Sequence, residues 1–189
     1  FRASAMTAQT FLKQCAFHVV RCVPFNEPST LDNLPAFHTV DLMVWYAHGG
    51  WDGPMVFQDL GTEFPDQISP SESTEWVKLM TYFKGQLGPR GMFVAHCCHS
   101  AGSDLWERRR DKRLGFREPR VWVRDIARSM NVYAVGQAGS AGAANLQTVK
   151  ALLEYAVLGT SHPGYPFRAY APGGAPVIMR GNGVTCSAG

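Results

Sequence analysis

The chain of 189 residues is poor in charge: 17% of it is Asp, Glu, Lys or Arg, against 46% hydrophobic residues. A disordered chain needs the opposite balance, so a folded domain is expected. Long apolar runs are missing. Stretches such as Leu42 to Ala47 and Met92 to Ala95 fall far short of a membrane span, and no membrane partner is expected. No signal-peptide pattern opens the sequence, and no internal repeat recurs. Gly (19) and Pro (12) are too few and too aperiodic for a collagen-like or low-complexity chain. The first residue is Phe1 rather than Met, so residues 1–189 read as a single domain from a larger polypeptide.

Cysteine is scarce too, with five residues at positions 15, 22, 97, 98 and 186. The number is odd, and the vicinal pair Cys97-Cys98 holds its sulfurs in poor disulfide geometry. A disulfide-stapled secreted fold is therefore not expected. The reading is reduced thiols in a reducing compartment such as the cytoplasm, with delivery to another cell left open.

Net charge is only +3, which does not call for nucleic acid as a partner. Nine of the 18 Lys/Arg do crowd into Glu107 to Arg128, interleaved with Glu107, Asp111, Glu118 and Asp125. Such a run reads first as a solvated helix face. A proteolytic processing segment and a contact for nucleic acid or an acidic surface are the alternatives.

Helix and strand patterns alternate along the chain. Ala5 to Cys15 has helical apolar spacing. Phe17 to Val23 reads as a strand and Ser29 or Thr30 as the cap of a short helix to Phe37. Leu42 to Ala47 is a continuous apolar run, as in a strand covered on both faces. Pro54 to Phe57 suggests a small hairpin arm. A helix from Ser71 through Phe83 should stop at Gly85 and Gly88-Pro89, before a strand Gly91 to Ala95. Further helices are expected from Ser103 or Asp104 through the arginine run, over Val121 to Met130, and over Leu146 to Leu158 with Gly159 as its stop. A strand covers Asn131 to Val135, a small-residue loop follows from Gly136 to Ala144, and late strands between Tyr165 and Arg180 are broken by Pro172-Gly173-Gly174. The fold class implied is α/β, a three-layer sandwich with a mostly parallel sheet.

In such sheets, ligands and catalytic groups gather at the carboxyl ends of the strands. Two apolar strands here end in reactive residues: one in His48-Gly49, the other in His96-Cys97-Cys98-His99-Ser100. His48 precedes Cys98 by 98 − 48 = 50 residues, the spacing of a caspase His and Cys. The tract Val94 to Gly102 resembles the metacaspase signature, in which an apolar strand ends in D-C-C-H-S-G. Leu42 to Gly49 resembles the matching strand that ends in a His-Gly. The chain is thus similar to caspase-like (clan CD) cysteine peptidases.

That resemblance implies a caspase-like domain that hydrolyses peptide bonds in a protein or peptide substrate through an acyl-enzyme. It makes Cys98 the nucleophile, since Cys98 directly precedes His99-Ser100, with Cys97 taking the role if the register is off by one. His48 would protonate the leaving amine and then activate water. Backbone N–H groups of Gly49 and Cys98 would form the oxyanion hole. A helix starting after Cys98 would favour its thiolate. His96 stands where the family has an acid lining the substrate pocket, so Arg or Lys before the scissile bond should not be preferred. The loop Gly136 to Gly142 would be a pocket wall; no Lys-Ser/Thr pair follows it, so it is not a phosphate loop. No cofactor and no metal are expected: four adjacent His and Cys side chains on a strand point to opposite faces, unlike zinc-ligand spacing. Two other readings stay open. One is a glutaminase-like α/β Cys hydrolase, with Gly49-Gly50 echoing its upstream glycines. The other is a catalytically dead interaction module.

Overall fold

The computed structural model describes residues 2–18, 39–49, 53–57, 66–67, 74–104, 119–141, 145–181 and 186. In chain order the elements are α1 (Arg2–Gln14), β1 (Val40–Tyr46), β2 (His48–Gly49), β3 (Pro54–Phe57), β4 (Asp66–Gln67), α2 (Thr74–Gln86), β5 (Leu87–His96), α3 (Trp122–Met130), β6 (Tyr133–Gln137), α4 (Leu146–Leu153), β7 (Phe167–Tyr170) and β8 (Pro176–Val177).

The main sheet has the order β1-β5-β6-β7-β8. β1, β5 and β6 are parallel neighbours, while β6–β7 and β7–β8 are antiparallel, so only β7 runs against the other four strands. A second, three-stranded antiparallel sheet, β2-β3-β4, branches off directly after β1.

Side-chain alternation along the central strands sorts the core into two layers. On one face Phe93, Ala95 and Ala134 meet Trp76, Leu79 and Phe83 of α2 and Trp122, Val123, Ile126, Ala127 and Met130 of α3. On the other face Met92, Val94 and Val135 meet Ala8, Phe11 and Leu12 of α1 and Val149, Leu152 and Leu153 of α4. Helices therefore cover both faces, and the architecture is α/β in three layers. Phe93, fully buried, packs edge-on or tilted against Phe83 (5.2 Å) and Trp122 (6.5 Å). Burial of one such ring contributes about 2 kcal/mol or more.

The local signals explain each helix. Trp122, Val123, Ile126, Ala127 and Met130 fall on one stripe, and Asn131 ends α3 in the left-handed conformation (φ 56°). Asn145 Oδ1 caps α4 by accepting from the backbone N–H of Gln147 (3.0 Å) and Thr148 (3.4 Å). α4 then continues as a π-helical segment, Glu154–Leu158, to Gly159. Among the described residues no helix is long and apolar enough to cross a membrane.

Several expectations need correction. α2 runs through Gly85 to Gln86, and the expected breaker Gly88-Pro89 lies inside β5. The register explains this: Val40 pairs with Leu87 but Leu42 with Met92, so the extra residues form an irregularity that tolerates a proline without an N–H. β6 begins two residues later than expected and extends through Gly136-Gln137. Ser103 and Asp104 are not helical. The strand over 17–23 lies largely outside the described residues, and Phe17 and His18 belong to no element. The short helix to residue 37 and the arginine run over 108–113 lie outside the described residues as well.

The cysteine expectation is also overturned. Cys15 and Cys186 form a disulfide, while Cys97 and Cys98 are free thiols. The α1–α4 layer brings Cys15 beside Cys186 across 171 positions of sequence, a proximity that counting cysteines does not reveal. Cysteine usage therefore no longer argues for a reducing compartment.

Candidate active site

The parallel ladder of β1 and β5 runs in step from Leu42↔Met92 to Tyr46↔His96. Two residues beyond that last rung stand His48 on one chain and Cys98 on the other. The two motifs found in the sequence therefore meet at the carboxyl edge of the sheet. Ala47 and Cys97, the intervening pair, are buried, and an Ala47 backbone hydrogen bond reaches the Cys97 thiol. His48 is exposed and Cys98 half-buried. His48 and Gly49 are held from the far side as well, where His48 pairs with Met55 and Gly49 with Pro54.

Gly49 lies directly against Cys98. A Cβ built on Gly49 would overlap the backbone carbonyl and nitrogen of Cys98. Only a residue without a side chain permits this backbone-to-backbone approach.

Residues 97–101 form a turn and 102–104 are irregular; beyond Asp104 the helix expected there lies outside the described residues. His99 sits at φ 56°, a conformation uncommon for a residue with a side chain. The turn is held by the end of β6 and the loop after it. His99 N–H donates to Gly139 O (2.8 Å), Ala101 N–H to Gln137 O (2.9 Å), and Gly139 N–H to Gly102 O (2.8 Å). The buried Ser100 Oγ accepts from Gln137 N–H at 2.9 Å and has the carbonyls of Ala95 and Gln137 each 3.3 Å away. Arg168 of β7 donates from Nη1 to Ala101 O (2.8 Å) and from Nη2 to Ser103 O (2.9 Å).

The Cys98 sulfur accepts a hydrogen bond from the backbone N–H of Ala141 at 3.2 Å. The β6–α4 loop thus supplies a backbone N–H to this sulfur. Cys97 differs from Cys98. It has no exposed surface, and burial pushes its thiol well above the ordinary range; the Ala47 hydrogen bond works against that shift and neighbouring Cys98 adds to it. Cys97 is a protonated core thiol, and Cys98 is the less buried of the two residues.

His96 is only 2% exposed and leans on the Tyr46 ring with centroids 5.8 Å apart. Burial pushes it down to about 4, partly opposed by a backbone hydrogen bond, and its Nε2 has no hydrogen-bond partner among the described residues. At neutral pH it is an uncharged, buried imidazole. Among the described residues no cluster of three His, Cys, Asp or Glu converges as a metal site.

The structure thus brings together Gly49, Cys98 and the strand end that bears His48, and it sets His96 and Cys97 into the core. Reading the sequence named Ser100 and the loop with Gln137 and Ala141 but missed the hydrogen bonds they make to the turn, and it missed Arg168. Ser100 lies inside the recognised tract, but its partner is 37 positions away, and Arg168 reaches back 67 positions to Ala101. Neither distance leaves a local signal. The chain matches no protein-family model, no curated protein and no solved structure.

Proposed function

We propose that the chain is a caspase-like cysteine endopeptidase that uses Cys98 and His48. One observation carries the reading: the parallel register of β1 and β5 puts His48 and Cys98 the same two residues past one shared rung, with Gly49 packed on Cys98. The half-burial of Cys98 and the full burial of Cys97 support the choice between the two thiols.

The chemistry follows from these groups. Cys98 passes its thiol proton to His48, and its Sγ attacks the peptide carbonyl carbon and forms a C–S bond. The carbonyl oxygen gains charge next to the backbone N–H groups of Gly49 and Cys98, and one such donor is worth about 3 kcal/mol in the transition state. The C–N bond breaks as the His48 imidazolium gives its proton to the leaving amine. Water, deprotonated by His48, then attacks the thioester. A carboxylic acid leaves and the thiol is restored.

The test is cleavage of a mixed peptide library by the wild-type chain and by Cys98→Ala, His48→Ala and Cys97→Ala. Cleavage is expected to vanish in the first two variants and to persist in the third. Activity that survives Cys98→Ala, or a loss confined to Cys97→Ala, reverses the assignment.

A further inference from the structure

The Ala141 N–H that donates to the Cys98 sulfur at 3.2 Å belongs to the same peptide unit as the Ser140 carbonyl. A peptide unit is planar, and in its trans form the C=O and the N–H point in opposite directions. A group that holds the Ser140 oxygen therefore also aims the Ala141 hydrogen. That oxygen accepts from Gln137 Nε2 at 2.7 Å. A carbonyl can only accept, so the Gln137 amide must face it with its nitrogen. The Gln137 carboxamide, the peptide between Ser140 and Ala141, and the Cys98 sulfur thus form one hydrogen-bonded chain.

The surroundings of this chain are dry and fixed. Gln137 is 3% exposed and Ala141 2%, so water has little access to compete for their polar groups. Gly139 stands at φ 74°, a conformation that lets the chain turn between Gln137 and Ser140. The Gln137 backbone meanwhile holds the turn that bears the sulfur. Its N–H donates to Ser100 Oγ at 2.9 Å, and its carbonyl accepts from Ala101 N–H at 2.9 Å. Both sides of the N–H to sulfur contact are therefore referred to a single residue at the end of β6. A thiolate is a stronger acceptor than a thiol, so a donor aimed at the sulfur favours the ionised form. The Gln137 amide also polarises the peptide it holds, which strengthens the Ala141 N–H as a donor.

We infer that Gln137 is a positioning residue for the Cys98 nucleophile: its carboxamide aims the peptide between Ser140 and Ala141 so that the Ala141 N–H meets the sulfur and stabilises it as the thiolate. The inference rests on the Cys98 assignment above and adds to it the residue that prepares the sulfur for attack.

The test is alkylation by iodoacetamide of wild type and Gln137→Met, at about pH 7 and on the alkaline plateau where the thiol is fully ionised. The sulfur displaces iodide and an S–C bond forms. Rates are followed by intact mass, and the labelled cysteine is identified by peptide mapping. Met keeps the length of Gln but cannot donate, and the backbone bonds of residue 137 remain. Gln137→Met is expected to slow Cys98 labelling at least about threefold near pH 7 and to leave the plateau rate within about twofold of wild type. A purely structural role would alter access to the sulfur and move both rates together. An unchanged rate near pH 7, or an equal fall at both pH values, overturns the positioning role.

A second measurement needs no substitution at Gln137 and decides the matter even where Gln137→Met does not fold. In isotopically labelled wild type, NMR resonances of the Ala141 amide and the Gln137 side-chain amide should shift together as Cys98 ionises, and neither should shift in that way in Cys98→Ala. An Ala141 shift without a Gln137 shift, or no shift of either, overturns the inference. Failure here with peptide cleavage that still requires Cys98 leaves the peptidase reading standing. Labelling at Cys97 in place of Cys98, or at neither thiol, overturns that reading and the positioning role with it.

Discussion

A methyl group added at Gly49 would occupy the space of the Cys98 backbone, so Gly49→Ala must push the two strand ends apart. Overpacking of this kind costs about 1–3 kcal/mol, and the expected result is a lower unfolding midpoint with peptide cleavage reduced more than about tenfold. A fully active, equally stable Gly49→Ala protein would show that the ends do not touch. His96 yields a pH prediction. Its imidazole titrates near 6.5 when unfolded and at about 4 when folded. Between those values the unfolded chain binds more protons, so stability rises with pH. The contribution is complete above about pH 6.5, is lost as pH falls towards 4, and amounts to about 3 kcal/mol. Urea denaturation of wild type and His96→Gln across that window checks it: the wild type should lose more stability on acidification, and parallel curves would refute the buried neutral imidazole. At this scale the sequence made legible that the strand ends at His48-Gly49 and Cys98 fall at one edge of the sheet. The burial of His96 was not legible, because residue type alone does not tell an exposed ring from an enclosed one at the end of an apolar strand.

The turn over 97–101 owes its shape to elements that come after it in the chain. β6 supplies Gln137, the following loop supplies Gly139 and Ala141, and β7 supplies the Arg168 guanidinium. Arg168→Met would leave the carbonyls of Ala101 and Ser103 without their charged donor, a loss of about 2–3 kcal/mol. Urea midpoints should fall accordingly, and the rate of Cys98 alkylation by iodoacetamide should change in the protein that is still folded. An unchanged alkylation rate would mean that the turn keeps its form without the clamp. Gly139→Ala tests the same joint from the other side. Gly139 stands at φ 74°, and a Cβ there would meet the Asp104 carboxyl at 2.5 Å, so a loss of at least about 1 kcal/mol is expected on thermal melting. Elements built on their own apolar pattern were legible: β1, β5 and α3 were found within a few residues of their bounds. The turn over 97–101 was not legible, because the hydrogen bonds that shape it come from residues 137–168, which no local pattern links to it. The strand irregularity that absorbs Gly88-Pro89 escaped for a related reason. Gly and Pro read as stops unless the partner strand is known.

Across the whole molecule, the two apolar layers depend on one sheet, and the layer of α1 and α4 carries an additional constraint. Cys15 on the end of α1 is bonded to Cys186, which closes a loop spanning 171 positions. In the chain-entropy account a loop of that length removes about 5 kcal/mol of unfolded-state freedom, an upper figure because strain and residual structure reduce it. Reduction, or Cys15→Ser and Cys186→Ser, should therefore lower the urea midpoint clearly. This separates two roles for thiol chemistry in one chain. A reductant that keeps Cys98 nucleophilic would also open Cys15–Cys186, so wild-type protein should gain reactivity and lose stability in the same buffer. The Cys15→Ser/Cys186→Ser variant should behave otherwise. It starts less stable, does not lose further stability when reductant is added, and labels at Cys98 with the wild-type rate, since the disulfide sits in the α1–α4 layer and the Cys98 turn is held by β6 and β7. If the variant and the wild type show the same midpoint in oxidising buffer, the bridge carries no stability. If the variant instead loses Cys98 labelling while folded, the two ends of the molecule are coupled, and the independence argued here fails.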